Sequence, residues 1–265
     1  MKYAIVNTEK VEATKGIVAT CPICDSELIA KCGNKKVKHW AHKGVRNCDP
    51  WWENETEWHR NWKNNFSKEW QEVVHADEAT GEKHIADVKT SFGLVLEFQH
   101  SFINPEEQLK RENFYKRMVW IIDGTRLKRD FSRLLRTIER NNFRPTKKQG
   151  YYLIDFIDEC FPANWTNCSV PVIFDFIRTE GNAERNKWEI PLYYLLPKSD
   201  YIERVVAIID RRSLIADIIN GNFLREKQDP QRTQIINQTN SLITTPPRQS
   251  NYVLHRGKFV RRSRF

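Results

Sequence analysis

Residues 84–101, HIADVKTSFGLVLEFQHS, place two acids inside segments built like strands. Ile85, Val88 and Thr90 flank Asp87, while Leu94, Val95, Leu96 and Phe98 surround Glu97. Such segments favour burial, and a buried carboxylate requires a partner. Ser91-Phe92-Gly93 reads as a short hairpin loop, with Gly93 where a left-handed backbone is needed. A turn centred on Phe92 makes Asp87 face Glu97 and Ile85 face Gln99. Opposed side chains lie ~5 Å apart at Cβ, where like charges repel unless a cation sits between them. A hard divalent ion such as Mg²⁺ suits that place. Whatever the register, alternation puts Glu97, Gln99 and Ser101 on one face of their strand.

With 265 residues the chain has room for one large domain or two small ones. Its formal net charge of +9 favours a polyanionic partner, nucleic acid before a membrane surface. No apolar run is long enough to span a bilayer, and MKYAIVNTEK lacks a signal-peptide core, so a cytoplasmic location is expected. Cysteines in such a chain point to metal binding or spare thiols before disulfides.

Residues 1–20 read as a strand pair, and 21–50 as a small basic module rich in Cys and His. WWENETEWHRNWKNNFSKEW (51–70) has a helical pattern, with Trp58, Trp62 and Phe66 on one face and Glu55, His59 and Lys63 beside it. The tryptophan stripe reads as core packing before a base-stacking platform. EVVHADEA (72–79) is a predicted strand turning at Thr80-Gly81. After the hairpin, Asn104, Pro105 and Glu107 mark the start of a helix that leads to the apolar strand VWIID (119–123). A helix between strands usually returns the chain parallel within one sheet. The predicted order is helix, three strands, helix, strand, in an α/β core over about 51–150. Residues 151–225 read as an α+β extension, with 200–219 helical, and 226–265 as a mobile polar, basic tail.

Cys21-x2-Cys24 and His39-x2-His42 offer four ligands from two close pairs. Zn²⁺ takes such sets tetrahedrally, and a basic module this small has too little apolar content to fold without one. Cys48 can replace one histidine, and Cys32 is a weaker substitute. Four protein ligands leave no position for water, so the expected zinc is structural. Cys160 and Cys168 read as plain thiols.

CPIC, HWAH, ETEWH, IADV and LEFQHS, in that order, resemble the competence protein CoiA-like family. The resemblance implies an N-terminal zinc-binding segment and a nuclease core of the PD-(D/E)xK type, with a restriction-endonuclease-like fold. It implies that Asp87 is the metal-binding aspartate, that Glu97 and Gln99 form an E-x-Q pair, and that Glu55 and His59 form an E-x3-H motif. Ser101 matches a serine that follows E-x-Q, and Arg111 with Tyr115 matches a further pair. His84 departs from the pattern, standing where a basic residue such as arginine is expected.

The expected activity is Mg²⁺- or Mn²⁺-dependent hydrolysis of phosphodiester bonds, in DNA before RNA. Asp87 and Glu97 hold the ion, with help from Glu55. Gln99, which does not titrate, orients water or a phosphate oxygen, and His59 has the pKa to shuttle a proton. Lys63, Lys89, Ser101, Arg111 and Tyr115 are the expected nucleic-acid contacts. A homodimer suits cleavage of both strands of a duplex. The competing readings are a non-catalytic nucleic-acid-binding protein on the same fold and an interaction scaffold with a structural cation.

Overall fold

The computed structural model describes residues 1–34, 36–45, 48–51, 53–78, 80–140, 142–177, 190–197 and 204–224, and the backbone of two short strands near the C-terminus. β1 (Tyr3–Val6) and β2 (Glu9–Glu12) form the expected hairpin. β3 (Val18–Thr20), β4 (Glu27–Lys31) and β5 (His39–His42) complete an antiparallel sheet, in the order β2-β1-β3-β4-β5. Its core is small, centred on Ala4, Ala19, Leu28 and Trp40.

α1 (Glu57–Lys63) is shorter than the pattern over 51–70 predicted. Thr56 caps it: its side chain accepts from His59 N, and its own N–H donates to His59 Nδ1. This is a capping box with histidine in the place of glutamate. At the far end the Asn65 side chain donates to the carbonyls of Asn61 and Trp62, offering the backbone an exit. Glu55 and Phe66 therefore lie outside the helix.

β6 (Gln71–Ala76), β7 (Lys83–Lys89), β8 (Val95–Gln99), α2 (Pro105–Tyr115) and β9 (Met118–Asp123) follow in the predicted order. Asn104 caps α2 through Glu106 N, and Pro105 opens it; Glu107 turns to Arg111 instead of the cap. β8 and β9 run parallel, with Glu97 level with Trp120. β9 is buried on both faces. Val119 and Ile121 pack with Trp58 and Trp62 of α1, whereas Met118, Trp120 and Ile122 pack with Tyr115 of α2.

The chain continues through α3 (Lys128–Glu139), β10 (Phe143–Pro145), β11 (Tyr151–Ile154), α4 (Ile157–Cys160), β12 (Val172–Asp175), β13 (Leu192–Leu195), β14 (Arg204–Ile209) and α5 (Arg211–Ile219). One expectation is corrected here. Residues 204–219 are a strand and a helix, not one helix. The run RVVAII is rich in β-branched residues and pairs with β11 and β13, and Asp210 caps α5 through Ser213 N. The predicted extension over 151–225 joins the core's own sheet. β10–β14 continue a nine-stranded sheet, β10-β11-β14-β13-β12-β9-β8-β7-β6, joined through parallel β12 and β9. Residues 1–225 form one compact unit.

The result is a mixed α/β architecture with helices on both faces of the large sheet. Asp175 at the end of β12 fixes α1. Its Oδ2 accepts the indole N–H groups of Trp58 and Trp62, and its Oδ1 takes Arg211. In the second unit, residues 226–265, the backbone of β15 (Tyr252–His255) and β16 (Lys258–Arg261) forms an antiparallel pair. The remainder of the predicted tail lies outside the described residues. No described helix is long and apolar enough to cross a membrane.

Candidate functional site

The predicted hairpin register is observed. Val88 opposes Leu96, Lys89 opposes Val95, and Gly93 has a φ of 77°. One step further the backbone ladder stops, and carboxylates take its place. Asp87 N donates to Glu97 Oε1 at 3.2 Å, and Phe98 N donates to Asp87 Oδ2 at 3.0 Å. Beside this break lies a cavity of about 60 Å³. Asp49, Glu53, Glu55, Glu72, Asp87 and Glu97 line it, with Lys63 and Arg111 as the only lysine or arginine on its described walls. That excess of acid favours a cation.

Each acid of the pair is steadied from a different side of the sheet. Lys63 Nζ, buried at the end of α1, lies 2.9 Å from Asp87 Oδ1, 3.1 Å from Glu72 Oε1 and 3.4 Å from Glu55 Oε1. Burial opposes its charge, but the three carboxylates, Asp87 first, outweigh burial and hold its pKa well above the usual lysine value. On the other side, Arg111 of α2 reaches Glu97 Oε2 at 3.1 Å, the Trp51 carbonyl and Glu107. Glu97 itself is under-compensated. Burial first, then the charge of Asp87, push it up to about 8 despite Arg111. A divalent cation between the two acids relieves both causes, so the donor set fits one.

Glu72 ties this site to the N-terminal sheet. It adopts a φ of 47° within β6, a left-handed conformation rare for a non-glycine residue. Its carboxylate accepts Lys2 N at 2.7 Å and Tyr3 N at 2.8 Å. Burial would raise Glu72, but Lys63, then the N-terminal ammonium and these N–H donors, pull it down to about 2.

Several expected roles change with placement. Glu55 precedes α1, and its charge is met by Arg60 at 2.7 Å and by Lys63. His59 is buried with Nδ1 accepting from Thr56 N and Nε2 3.1 Å from the Phe98 carbonyl. A proton shuttle needs a ring nitrogen open to substrate, and both are taken, so His59 caps and braces instead. Lys63 and Arg111 face carboxylates, and Tyr115 is buried against Trp51, His75 and Phe114, so none of the three presents itself to a phosphate. His84 is likewise internal, between Asp49 and Glu82 and stacked on Trp51. Lys89 keeps its expected opportunity: it shares the half-buried face of Asp87 and makes no ion pair among the described residues. Ser101 is exposed, and Gln99 is buried, with Nε2 donating to the Ser101 carbonyl at 3.2 Å. Gln99 Oε1 is buried with no partner.

Sequence reasoning missed Glu53 and Glu72. Glu53 Oε1 accepts Ser101 N at 2.5 Å, and its buried Oε2 makes no hydrogen bond but lies 3.8 Å from His59 Nε2. Burial would raise its pKa, but His59 and Ser101 hold it low. It stands two residues before Glu55, and nothing in the pattern chooses between them. Glu72 reads as an ordinary strand residue, because its partners lie seventy positions away.

The N-terminal sheet brings together Cys21, Cys24, His42 and Cys48, whose ligand atoms all lie within 4.8 Å of one another. This Cys3His set can hold zinc. Burial and then the neighbouring Cys21 push the Cys48 thiol up to about 12. His39 is not in the set, which corrects the expected ligands. Residues three apart on β5 point to opposite faces, and His39 Nδ1 turns instead to the Val37 carbonyl at 2.8 Å. Cys48→Ser is therefore expected to lose bound zinc, while His39→Ala keeps one ion per chain; native mass spectrometry reads both. Equal zinc loss in the two variants would restore His39 as a ligand.

Two family models match the chain: Competence protein CoiA, N-terminal domain, over residues 6–50, and Competence protein CoiA, nuclease-like domain, over residues 83–163. The first spans the Cys3His set, and the second spans Asp87, Glu97, Gln99 and α2. Neither the curated proteins nor the solved structures gave a match.

Proposed function

On the premise that this chain is a CoiA-like competence protein with a nuclease-like domain, we propose that it is a divalent-metal-dependent nuclease acting on DNA. One observation carries the proposal. Asp87 and Glu97 replace the strand ladder and face each other at an acid-lined cavity, with Glu97 pushed up to about 8.

Asp87 and Glu97 hold the ion. A Mg²⁺ or Mn²⁺ bound there supplies Lewis-acid polarisation of the phosphodiester and a bound water of lowered pKa. Lys63 holds Asp87 in place through Oδ1, and Arg111 holds Glu97 through Oε2. The partnerless Oε1 of Gln99 is an acceptor without a donor, suited to receive a hydrogen bond from the attacking water. Glu53, whose Oε2 makes no hydrogen bond and lies 3.8 Å from His59 Nε2, takes the place given to His59 as the group that orients that water. Lys89, on the face of Asp87, is placed to meet a phosphate.

A second reading has its own observation. Lys63 and Arg111 already give each acid a cationic partner, as in a protein that binds nucleic acid without cutting it. A cleavage assay separates the two. Wild-type protein is expected to degrade linear or circular DNA with Mg²⁺ or Mn²⁺ and to stop in EDTA, while Asp87→Ala is expected to bind DNA without cutting. Well-folded, zinc-loaded wild type that cuts neither DNA nor RNA would favour the binding protein.

A further inference from the structure

The carboxyl ends of β8 and β9 carry a patch that the proposed chemistry does not use. His100 follows Gln99, and its Nδ1 lies 2.7 Å from Asp123 Oδ2. Asp123 is buried, and its Oδ1 accepts the Thr125 N–H at 2.9 Å and hydroxyl at 2.7 Å, so the carboxylate is fixed and in turn fixes the ring. Nε2 of His100 has no partner among the described residues, and the side chain is about one third exposed. Arg126, also exposed, lies near enough for its charge to act on His100. Two residues beyond His100, Phe102 stands 67% exposed. One exposed aromatic signals nothing alone; here it follows the oriented His100 by two residues.

The patch adjoins the cavity. Ser101, between His100 and Phe102, donates its N–H to Glu53, whose carboxylate lines the acid-walled space. With Nδ1 donating to Asp123, Nε2 carries a proton in the imidazolium, the form that Asp123 favours; that N–H, with the charge of Arg126 near it, suits a phosphate oxygen, and an exposed ring two residues along the chain suits an unstacked base. A paired base inside a duplex offers no free face to such a ring.

We infer that His100, Arg126 and Phe102 form a subsite for a single-stranded polynucleotide, with a phosphate on His100 and Arg126 and the adjoining base stacked on Phe102. Asp123 is a positioning residue, holding the ring so that Nε2 faces the strand. The direction of travel, from this subsite into the cavity, rests on the nuclease reading; the binding itself does not.

Fluorescence anisotropy with a labelled decathymidylate, and with a blunt hairpin duplex of matched length, tests this on zinc-loaded full-length protein without added Mg²⁺. Wild type is expected to bind the single strand more tightly than the duplex. Phe102→Ala is expected to weaken single-strand binding about tenfold, the scale of one lost stacking contact. Phe102→Trp keeps it. His100→Gln and Asp123→Asn each weaken it several-fold, and Asp123→Asn moves the His100 ring resonances, which a merely structural Asp123 would leave in place. Because Phe102 lies at the surface, its variants test binding without unfolding the chain. Phe102→Ala binding as wild type does, or a wild type that prefers duplex, overturns the subsite. If the anisotropy pattern holds while no metal-dependent cleavage occurs, the nuclease reading alone fails. If Asp87-dependent cleavage occurs with Phe102→Ala indistinguishable from wild type, the subsite alone fails.

Discussion

Lys63→Met is expected to destabilise the fold by about 3–5 kcal/mol, the scale for stripping one partner from a buried ion pair. In a unit of this size that lowers Tm by roughly 10 °C. The ammonium sits among Asp87, Glu72 and Glu55, and no other lysine or arginine comes as close to Asp87 among the described ion pairs. Methionine fills the space and leaves the acids to repel one another in a poorly hydrated place. The pH dependence has a definite sign. Glu72 is pulled down to about 2, so its stabilising contribution is full above the ordinary glutamate range and is lost as pH falls through about 2. Without Lys63 the largest share of that contribution is lost at neutral pH, and the N-terminal ammonium with the Lys2 and Tyr3 N–H groups keeps the rest. The gap between variant and wild type is therefore widest near neutrality and narrows in acid. Thermal unfolding at neutral pH and in acid checks this, and an unchanged Tm would mean that the ammonium is hydrated outside the acid cluster.

Glu97→Gln is expected to act in the opposite direction. Glu97 is pushed up to about 8 in the folded chain, so the native state holds a proton that the unfolded state releases near the ordinary glutamate value. Stability of the metal-free protein therefore falls as pH rises between the ordinary value and about 8, then levels off. At ~1.4 kcal/mol per pKa unit the accumulated loss is several kcal/mol. Glutamine retains an acceptor for Asp87 N and carries no charge, so the variant loses that slope. Denaturant unfolding of the two proteins at mildly acidic and mildly alkaline pH should show the variant gaining on wild type as pH rises, while its metal-dependent cleavage disappears. A wild type that is the more stable of the two at alkaline pH would mean that Arg111 fully compensates an ionised Glu97.

The sequence carried these two residues further than most. Alternation and one glycine were enough to oppose Asp87 and Glu97, because hairpin register depends on neighbours a few positions away. The order from α1 to β9 was legible for the same reason. What was not legible depends on distant chain. Glu72 receives residues 2 and 3, Glu53 receives Ser101, and Asp175 receives two tryptophans from α1. Spacing misled where faces decide: His39 and His42 look like a ligand pair, but a strand turns them apart and Cys48 completes the set that can hold zinc. Family motifs named His59 and Arg111 without telling whether they face substrate or brace the acids, and burial with both ends occupied answers that. The length of α1 was overestimated because aromatic residues at four-residue spacing continue past Asn65, which leads the backbone out of the helix.

The central claim, that Asp87 and Glu97 face each other to hold a divalent ion, is tested most directly by proton-linked Mn²⁺ binding. Calorimetric titration of zinc-loaded protein at neutral pH, in two buffers of different ionisation enthalpy, counts protons released per ion. Release of about one proton is expected, since a carboxyl titrating near 8 must deprotonate to become a ligand. Glu97→Gln should release none and bind more weakly, and Asp87→Ala should not bind. Mn²⁺ binding with no proton released, or binding that survives the loss of Asp87, would contradict the account.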